Sequence, residues 1–406
     1  MLQSIAGTNL LDPAVIAEPY DFYSELRANA PVWEIQGAGI FTVATFQLLA
    51  EAAGRVEDFS SNINCLLYRD GDGMPCRLPF GEAGIQALAT ADPPTHALHR
   101  GTVFPELVAK RMAALEPDIV EIAEDCVDRA VGEGSVDFMA TIGNVVPITM
   151  ISRLIGFHDS DPDQLLGAAF DSTAMLGSTL TYDELISLIT RSGEIQEWIT
   201  RQLRTSMSDP TTDLLGAVAQ GVNGGAFSET EAIVILHTLL SAGGESTTSL
   251  LGNAVRILAE HRDLQSQLRE NPELIPMFVE EALRLEPPFR YHMRFAQQDT
   301  ELGGVAIPAG STVLLLWGAA NRDAEMFEDP ESISLTREAP RRHVAFGRGI
   351  HHCVGAPLAR VEARNVLRVL LARTSAITLD SQRQPRWANS LMVRRHEELP
   401  VRLTPV

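Results

Sequence analysis

The apolar positions of this chain follow two periods. From about residue 94 to 270 the helical period dominates, broken at Gly132–Gly134, Asp159–Pro162, Ser208–Pro210 and Gly221–Gly225. Ahead of that stretch, residues 18–30 read as a short helix. Residues 32–36 and 40–44 alternate apolar and polar around Gly37-Ala38-Gly39, the pattern of a hairpin. Residues 61–90, rich in Gly, Pro and Asp, predict a long loop. Ser228-Glu229-Thr230-Glu231 is a capping box, and the helix it opens continues to about His261. That helix is apolar on nearly every face around Ile233–Leu240 and is expected to cross the core. A shorter helix is predicted over about 273–285, and small antiparallel strands over 301–316 between Gly-Gly and Pro-Ala-Gly turns. After an irregular stretch, 321–352, a long helix runs from near Gly355 to about Arg373, followed by strand-like pieces including Leu399–Leu403. The expected fold is mainly α with minor β. With no linker, repeat or low-complexity tract, residues 1–406 read as a single domain whose first fifteen or so residues fray.

Composition narrows the function. Hydrophobic residues make up 45% and charged residues 21%, ordinary for a soluble globular protein. A net charge of −21 argues against a nucleic-acid partner and against adhesion to anionic membranes. The four cysteines, Cys65, Cys76, Cys126 and Cys353, show no C-x-x-C spacing and no disulfide framework. The first twenty residues lack the basic start and apolar run of a signal peptide, and no run of 18 apolar residues occurs. A cytoplasmic, membrane-free protein is expected.

The most informative segment is Phe346-Gly347-Arg348-Gly349-Ile350-His351-His352-Cys353-Val354-Gly355-Ala356. A cysteine stands just before a helix, behind a glycine-rich loop. Amides at a helix N-terminus favour thiolate over thiol, and a thiolate is a soft anionic ligand for iron. A buried inert cysteine beside a turn is the plainer alternative; zinc held by His351, His352 and Cys353 is another, disfavoured because adjacent residues rarely converge on one tetrahedral ion.

Within the long helix, Ala242-Gly243-Gly244-Glu245-Ser246-Thr247-Thr248 breaks a local rule. Two glycines mid-helix cost roughly 1 kcal/mol each against alanine. They make room either for a flat ligand and a small diatomic molecule, or for a close helix crossing. Ser246 and Thr247 can bond back to carbonyls four residues earlier and open the helix locally, and Glu245 adds an ionisable group.

The loop pattern F-G-x-G-x-H-x-C-x-G, followed by Leu358-Ala359-Arg360, resembles the haem-binding loop of the cytochrome P450 family, with every fixed position present. The resemblance implies that family's triangular, mostly helical fold and haem b as cofactor. By it Cys353 is the axial ligand, Phe346 packs on the sulfur, Gly347 and Gly355 shape the loop, and His351 approaches a haem propionate. The glycine segment resembles the family's oxygen-activation motif A-G-x-[D/E]-T-T, which places Ala242 and Gly243 against the haem. Glu245 then becomes the acid of a proton-delivery pair, with Ser246 as its alcohol and Thr247 as a third catalytic residue beside them. Serine replaces the usual threonine at 246, keeping the hydroxyl but losing the methyl that helps fix the rotamer.

Three weaker patterns gain meaning from that match. Glu281-Ala282-Leu283-Arg284 fits E-x-x-R, by itself a solvated i,i+3 pair, but in this family a scaffold pair joined by a meander arginine, for which Arg337 is the candidate. His96 and Arg100, four apart in Asp92-Pro93-Pro94-Thr95-His96, are either a surface pair or a carboxylate clamp; the resemblance makes them, with Arg294, propionate ligands. Substrate contacts by family position fall in 62–90, 170–190, the 239–246 face, Phe289–Met293 and Ser390–Met392, with Leu240, Phe289 and Leu391 as named candidates.

The implied activity is O2-dependent insertion of one oxygen atom into a hydrophobic small molecule by a monomeric enzyme. No G-x-G-x-x-G lies between a strand and a helix, so NAD(P)H is expected to act only through a separate acidic ferredoxin and its reductase. Arg341, Arg342, Arg348, Arg360 and Arg364 either form their docking face or are scattered solvated residues. The rivals are a haem-thiolate enzyme driven by peroxide or performing non-monooxygenase chemistry, and a non-catalytic haem sensor.

Overall fold

Alternation along the strands divides the apolar residues between the two faces of a sheet. In strand Ile40–Val43, Ile40 packs with Ile35, Phe295 and Leu314, whereas Phe41 and Val43 pack with Val32, Val313 and Leu315 on the other face. The computed structural model describes residues 10–35, 37–80, 84–107, 112 and 114–406. Its five-stranded sheet runs in the order Val32–Ile35, Ile40–Val43, Thr312–Leu315, His292–Ala296, Phe59–Ser60. Thr312–Leu315 lies parallel to Ile40–Val43; the remaining pairs are antiparallel. Arg294 pairs with Val313 and His292 with Leu315, which sets two basic side chains on one face of the strand.

The larger core is helical. Helix Glu229–Glu260 runs through it as the sequence predicts, with Ser228 Oγ accepting the Glu231 amide at 3.2 Å and the Glu231 carboxylate accepting the Ser228 amide at 2.7 Å. Helices Val145–Ile155, Pro162–Met175, Ile275–Leu285 and Ala356–Arg373 pack around it. The break after Glu133 falls on Gly134, at φ +78°.

Two expectations fail. The 61–90 stretch contains a hairpin, Cys65–Arg69 against Pro75–Pro79. Asp70 closes its turn by accepting the amides of Asp72 and Met74, both at 2.9 Å, and the density of turn residues hid the alternation. The helical stretch from 94 to 270 contains strand Ser135–Asp137, which exists because Pro400–Pro405 pairs with it and with Thr374–Leu379.

Glu280, Glu281 and Glu286, on or just past one short helix, each hold a different arginine group. Glu281 is fully buried and binds Arg284 at 2.8 and 2.9 Å and Arg337 at 2.8 Å. Arg284 spends its other N–H groups on the carbonyls of Asn321, Pro330 and Ser332, tying the irregular stretch down. Glu280 takes Arg360 at 2.6 Å and His343 at 3.0 Å. Glu286 takes Arg394 and Arg256, both at 2.9 Å, together with the Tyr20 hydroxyl. Among the described residues no helix is long and apolar enough to cross a membrane.

Candidate active site

The loop ahead of Ala356–Arg373 is shaped by its glycines. Gly347 and Gly349 sit at φ +70° and +76°, and a Cβ on Gly349 would stand 2.9 Å from the Ala53 carbonyl oxygen. The Cys353 amide donates to the Phe346 carbonyl at 2.9 Å, folding the loop back beneath the sulfur. Arg360 lies over the Phe346 ring at 4.4 Å. The Cys353 thiol opens onto a cavity and is enclosed by protein elsewhere. Burial pushes its pKa up; the Gly355 and Ala356 amides, with Arg360 and Arg100, pull it back down. The helix N-terminus therefore favours the thiolate as expected but does not outweigh burial in the protein alone. A metal cation would, since a coordinated thiol is deprotonated outright.

That cavity measures about 240 Å³, far above the ~30 Å³ share of one water molecule, so it is a built site and not a packing fault. One wall is the central helix, contributing Thr238, Leu239, Ala242, Gly243, Ser246, Thr247 and Leu250. Leu88, Ile151, Leu154, Pro288 and Phe289 extend the apolar lining. Leu240 and Leu391 do not line the cavity: both are buried in other packing, Leu240 in the helical core and Leu391 against the sheet. Nor do residues 170–190 or 390–392 reach it, and of the described residues in 62–90 only Leu88 and Ala89 do.

The glycine pair serves the helix crossing. A Cβ on Gly243 would stand 2.6 Å from Ile151 Cγ1, and one on Gly244 would stand 3.1 Å from Ile148 Cδ1. Gly243 and Ala242 also leave the cavity wall smooth. Ser246 Oγ donates back to the Ala242 carbonyl at 2.6 Å, yet the helix does not open there and stays continuous from Glu229 to Glu260. Glu245 faces away from the cavity. Its carboxylate accepts Arg395 Nε at 2.7 Å and Thr173 Oγ1 at 3.1 Å. Burial raises its pKa while Arg395 and Thr173 lower it.

The opposite rim is basic. His96, Arg100, His292, Arg294 and His351 line one end of the cavity. The His96 and His351 rings lie 4.3 Å apart, and His96 Nε2 and both ring nitrogens of His351 are buried without a hydrogen-bond partner among the described residues. Burial, with Arg294, His96, Arg100 and His292 around it, draws the His351 pKa down to about 3. Burial likewise lowers Arg294 to about 10, and among the described residues no carboxylate lies within 4 Å of it. Buried donors without acceptors call for an anion, and two carboxylates on a cofactor edge satisfy that demand. No three His, Cys, Asp or Glu side chains converge as a metal cage among the described residues. His292 was legible only as part of a substrate stretch, and Trp317, which donates to its ring, not at all.

A lone sulfur facing a large apolar cavity, with unpartnered basic groups at one end and a continuous helix opposite, is the donor set of a haem-thiolate oxidoreductase. Comparison with known proteins agrees. The family profile described as Cytochrome P450 matches residues 183–399. Cytochrome P450 144 of Mycobacterium tuberculosis is 40% identical over 386 residues, covering 95% of this chain and 88% of the relative. The 6-deoxyerythronolide B hydroxylase of Saccharopolyspora erythraea is 32% identical, covering 95% and 96%. Among solved structures, CYP109E1 from Bacillus megaterium in complex with testosterone superimposes with a TM-score of 0.86 at 27% identity, covering 96% and 99%. The chain belongs to the cytochrome P450 family and is a monooxygenase of that family.

Proposed function

We propose that this chain inserts one atom of O2 into an apolar small molecule bound against the Glu229–Glu260 helix, with electrons supplied by a separate ferredoxin and reductase. The observation that carries this is that Cys353 and Ser246 line one and the same mainly apolar cavity. The chemistry that haem supplies when bound is the reductive activation of O2. Cys353 would hold its iron and push electron density onto it. His96, Arg100, Arg294 and His351 would hold its carboxylates, and Leu88, Leu154, Leu239 and Phe289 would exclude water and seat the substrate.

Ser246 presents its oxygen to the cavity while its hydrogen is held by Ala242. To donate into the site it rotates off that carbonyl, and serine, lacking a β-methyl, rotates freely. Glu245 holds the next proton. Its buried carboxyl must leave Arg395 before it can serve Ser246. For the redox partner, Arg341, Arg342 and Arg348 are exposed beside half-exposed Ile350. Arg360 and Arg364 are instead engaged by Glu280 at 2.6 Å and Glu116 at 2.5 Å; Arg341 also reaches Glu280, at 3.5 Å, but keeps 72% of its side chain exposed. Docking therefore rests on the first three, and Arg342→Glu should slow reduction by an acidic ferredoxin at low salt with little effect at high salt.

The deciding experiment has two arms. The ferrous–CO complex should show a strongly red-shifted Soret band that Cys353→Ala abolishes. With ferredoxin, reductase and NAD(P)H, oxidised product should form; turnover with peroxide alone, indifferent to those partners, would replace this reading with the peroxide-driven one.

A further inference from the structure

The basic end of the cavity holds a donor that spacing around the motifs did not reveal. His292 and Arg294 lie two apart on strand His292–Ala296 and so share a face. Behind His292 stands Trp317, 1% exposed, whose indole Nε1–H donates to His292 Nδ1 at 2.7 Å. An indole nitrogen can only donate, so Nδ1 must be the acceptor. The imidazole is thereby kept neutral, with its proton on Nε2. Both rings line the cavity, in company with Arg294 and His351. We infer that His292 is a binding residue for one carboxylate of the cofactor, and that Trp317 is its positioning residue, fixing the tautomer that donates. Burial and neighbouring Arg294 agree with a neutral ring, lowering its pKa to about 3.

The chemistry supports an anionic acceptor over a substrate group. Five basic side chains converge there, and the carboxylate whose charge Arg294 feels, Asp92, is already bound to Ser60 and to the Ser61 amide. A neutral N–H held rigidly beside a guanidinium completes a two-donor seat for one carboxylate. It adds no further charge to an already cationic corner.

The inference rests on haem being the ligand, and the test separates the two. The holoprotein is mixed with excess haem-scavenging apo-globin, and haem loss is followed for native haem and for its dimethyl ester, which lacks both carboxylate charges. A hydrogen bond to a charged group implies that His292→Phe releases native haem about tenfold faster or more. Trp317→Phe should accelerate release several-fold, and His292→Asn, which keeps an N–H, should stay close to wild type. With the dimethyl ester, variants and wild type should release at the same rate within about twofold. Equal acceleration with both haems would mean a packing role and overturn the inference, as would unchanged release of native haem. Trp317→Phe keeps the measurement available should His292→Phe not fold. Wild-type protein that takes up no haem would fail the underlying reading; haem-loaded protein with indifferent variants would fail only this one.

Discussion

Replacing Glu286 by Gln tests whether the buried arginine hub is a source of stability. Burial alone would raise this carboxyl, but Arg394, Arg256, Arg322 and the Tyr20 hydroxyl together draw it from 4.5 down to about 2. A carboxyl so depressed stabilises the folded state by about 3 kcal/mol at neutral pH. Breaking a buried ion pair on one side costs about 3–5 kcal/mol by independent reasoning, so the two routes agree. With an unfolding entropy of roughly 2.1 cal/mol/K per residue, that loss lowers Tm by about 4 °C at pH 7. The sign with pH follows from the depressed value. The contribution is complete above the ordinary carboxyl range and is lost as pH falls from 4.5 toward 2. The gap between wild type and Glu286→Gln, measured by thermal unfolding at one scan rate, should therefore close on acidification through that window. A variant melting within a degree of wild type at pH 7, or a gap that stays constant down to pH 3, would mean that the hub does not stabilise the fold.

Three further outcomes are expected. Gly243→Ala should destabilise by about 1–3 kcal/mol through the Ile151 clash, offset by up to ~1 kcal/mol of helix propensity; Ile151→Ala should relieve it, and a urea double-mutant cycle without favourable coupling would return the glycine to a ligand role. Arg395→Ala removes the guanidinium that lowers the Glu245 pKa, so the infrared band of its neutral carboxyl, identified with Glu245→Gln, should persist to higher pH than in wild type. Buried His99 accepts the Leu88 amide through Nδ1 at 3.1 Å and faces Glu231 at 3.7 Å, with His96 and Arg100 on its own helix. Its pKa is lowered below the ordinary histidine value chiefly by burial, against the opposing charge of Glu231, so the bond survives past the ordinary histidine range and is lost only as pH falls through the ring's own depressed value. Leu88, a cavity residue at φ +46°, should then exchange its amide hydrogen faster than intrinsic rates explain, and His99→Gln should remove the pH dependence.

What could be read ahead of the structure was local. The capping box at Ser228, the cysteine loop and E-x-x-R each fit inside a few residues, and each acts on its neighbours. The hairpin at 65–79 was hidden by its own turn residues, and strand Ser135–Asp137 has no signal apart from a partner more than 260 residues away. Family position puts Leu240 on the substrate face of the helix, yet the wall runs through 238, 239, 242, 243, 246, 247 and 250, and position 240 falls on the core side of that stripe. Glu245 was visible as an ionisable group, but its clasp, Arg395, lies 150 positions later. His292 was missed. His-x-Arg at 292–294 shares one face only once strand His292–Ala296 is known, and nothing in the sequence marks Trp317 as standing behind it.

Residues 390–405 close several contacts at once. Arg394 seals the Glu286 hub beside Tyr20, Arg395 clasps Glu245, and Pro400–Pro405 joins Ser135–Asp137 to Thr374–Leu379. Chains emerge from the ribosome in order, and early segments fold as their partners appear. Here Ala17, Glu18, residues 135–137 and Glu245 are all translated at least 150 positions ahead of these partners. Glu245 and Glu286 are therefore synthesised 150 and 108 positions ahead of Arg395 and Arg394, and in that interval the growing polypeptide carries one carboxylate without its guanidinium and the other with only part of its hub, a window in which chaperone protection matters.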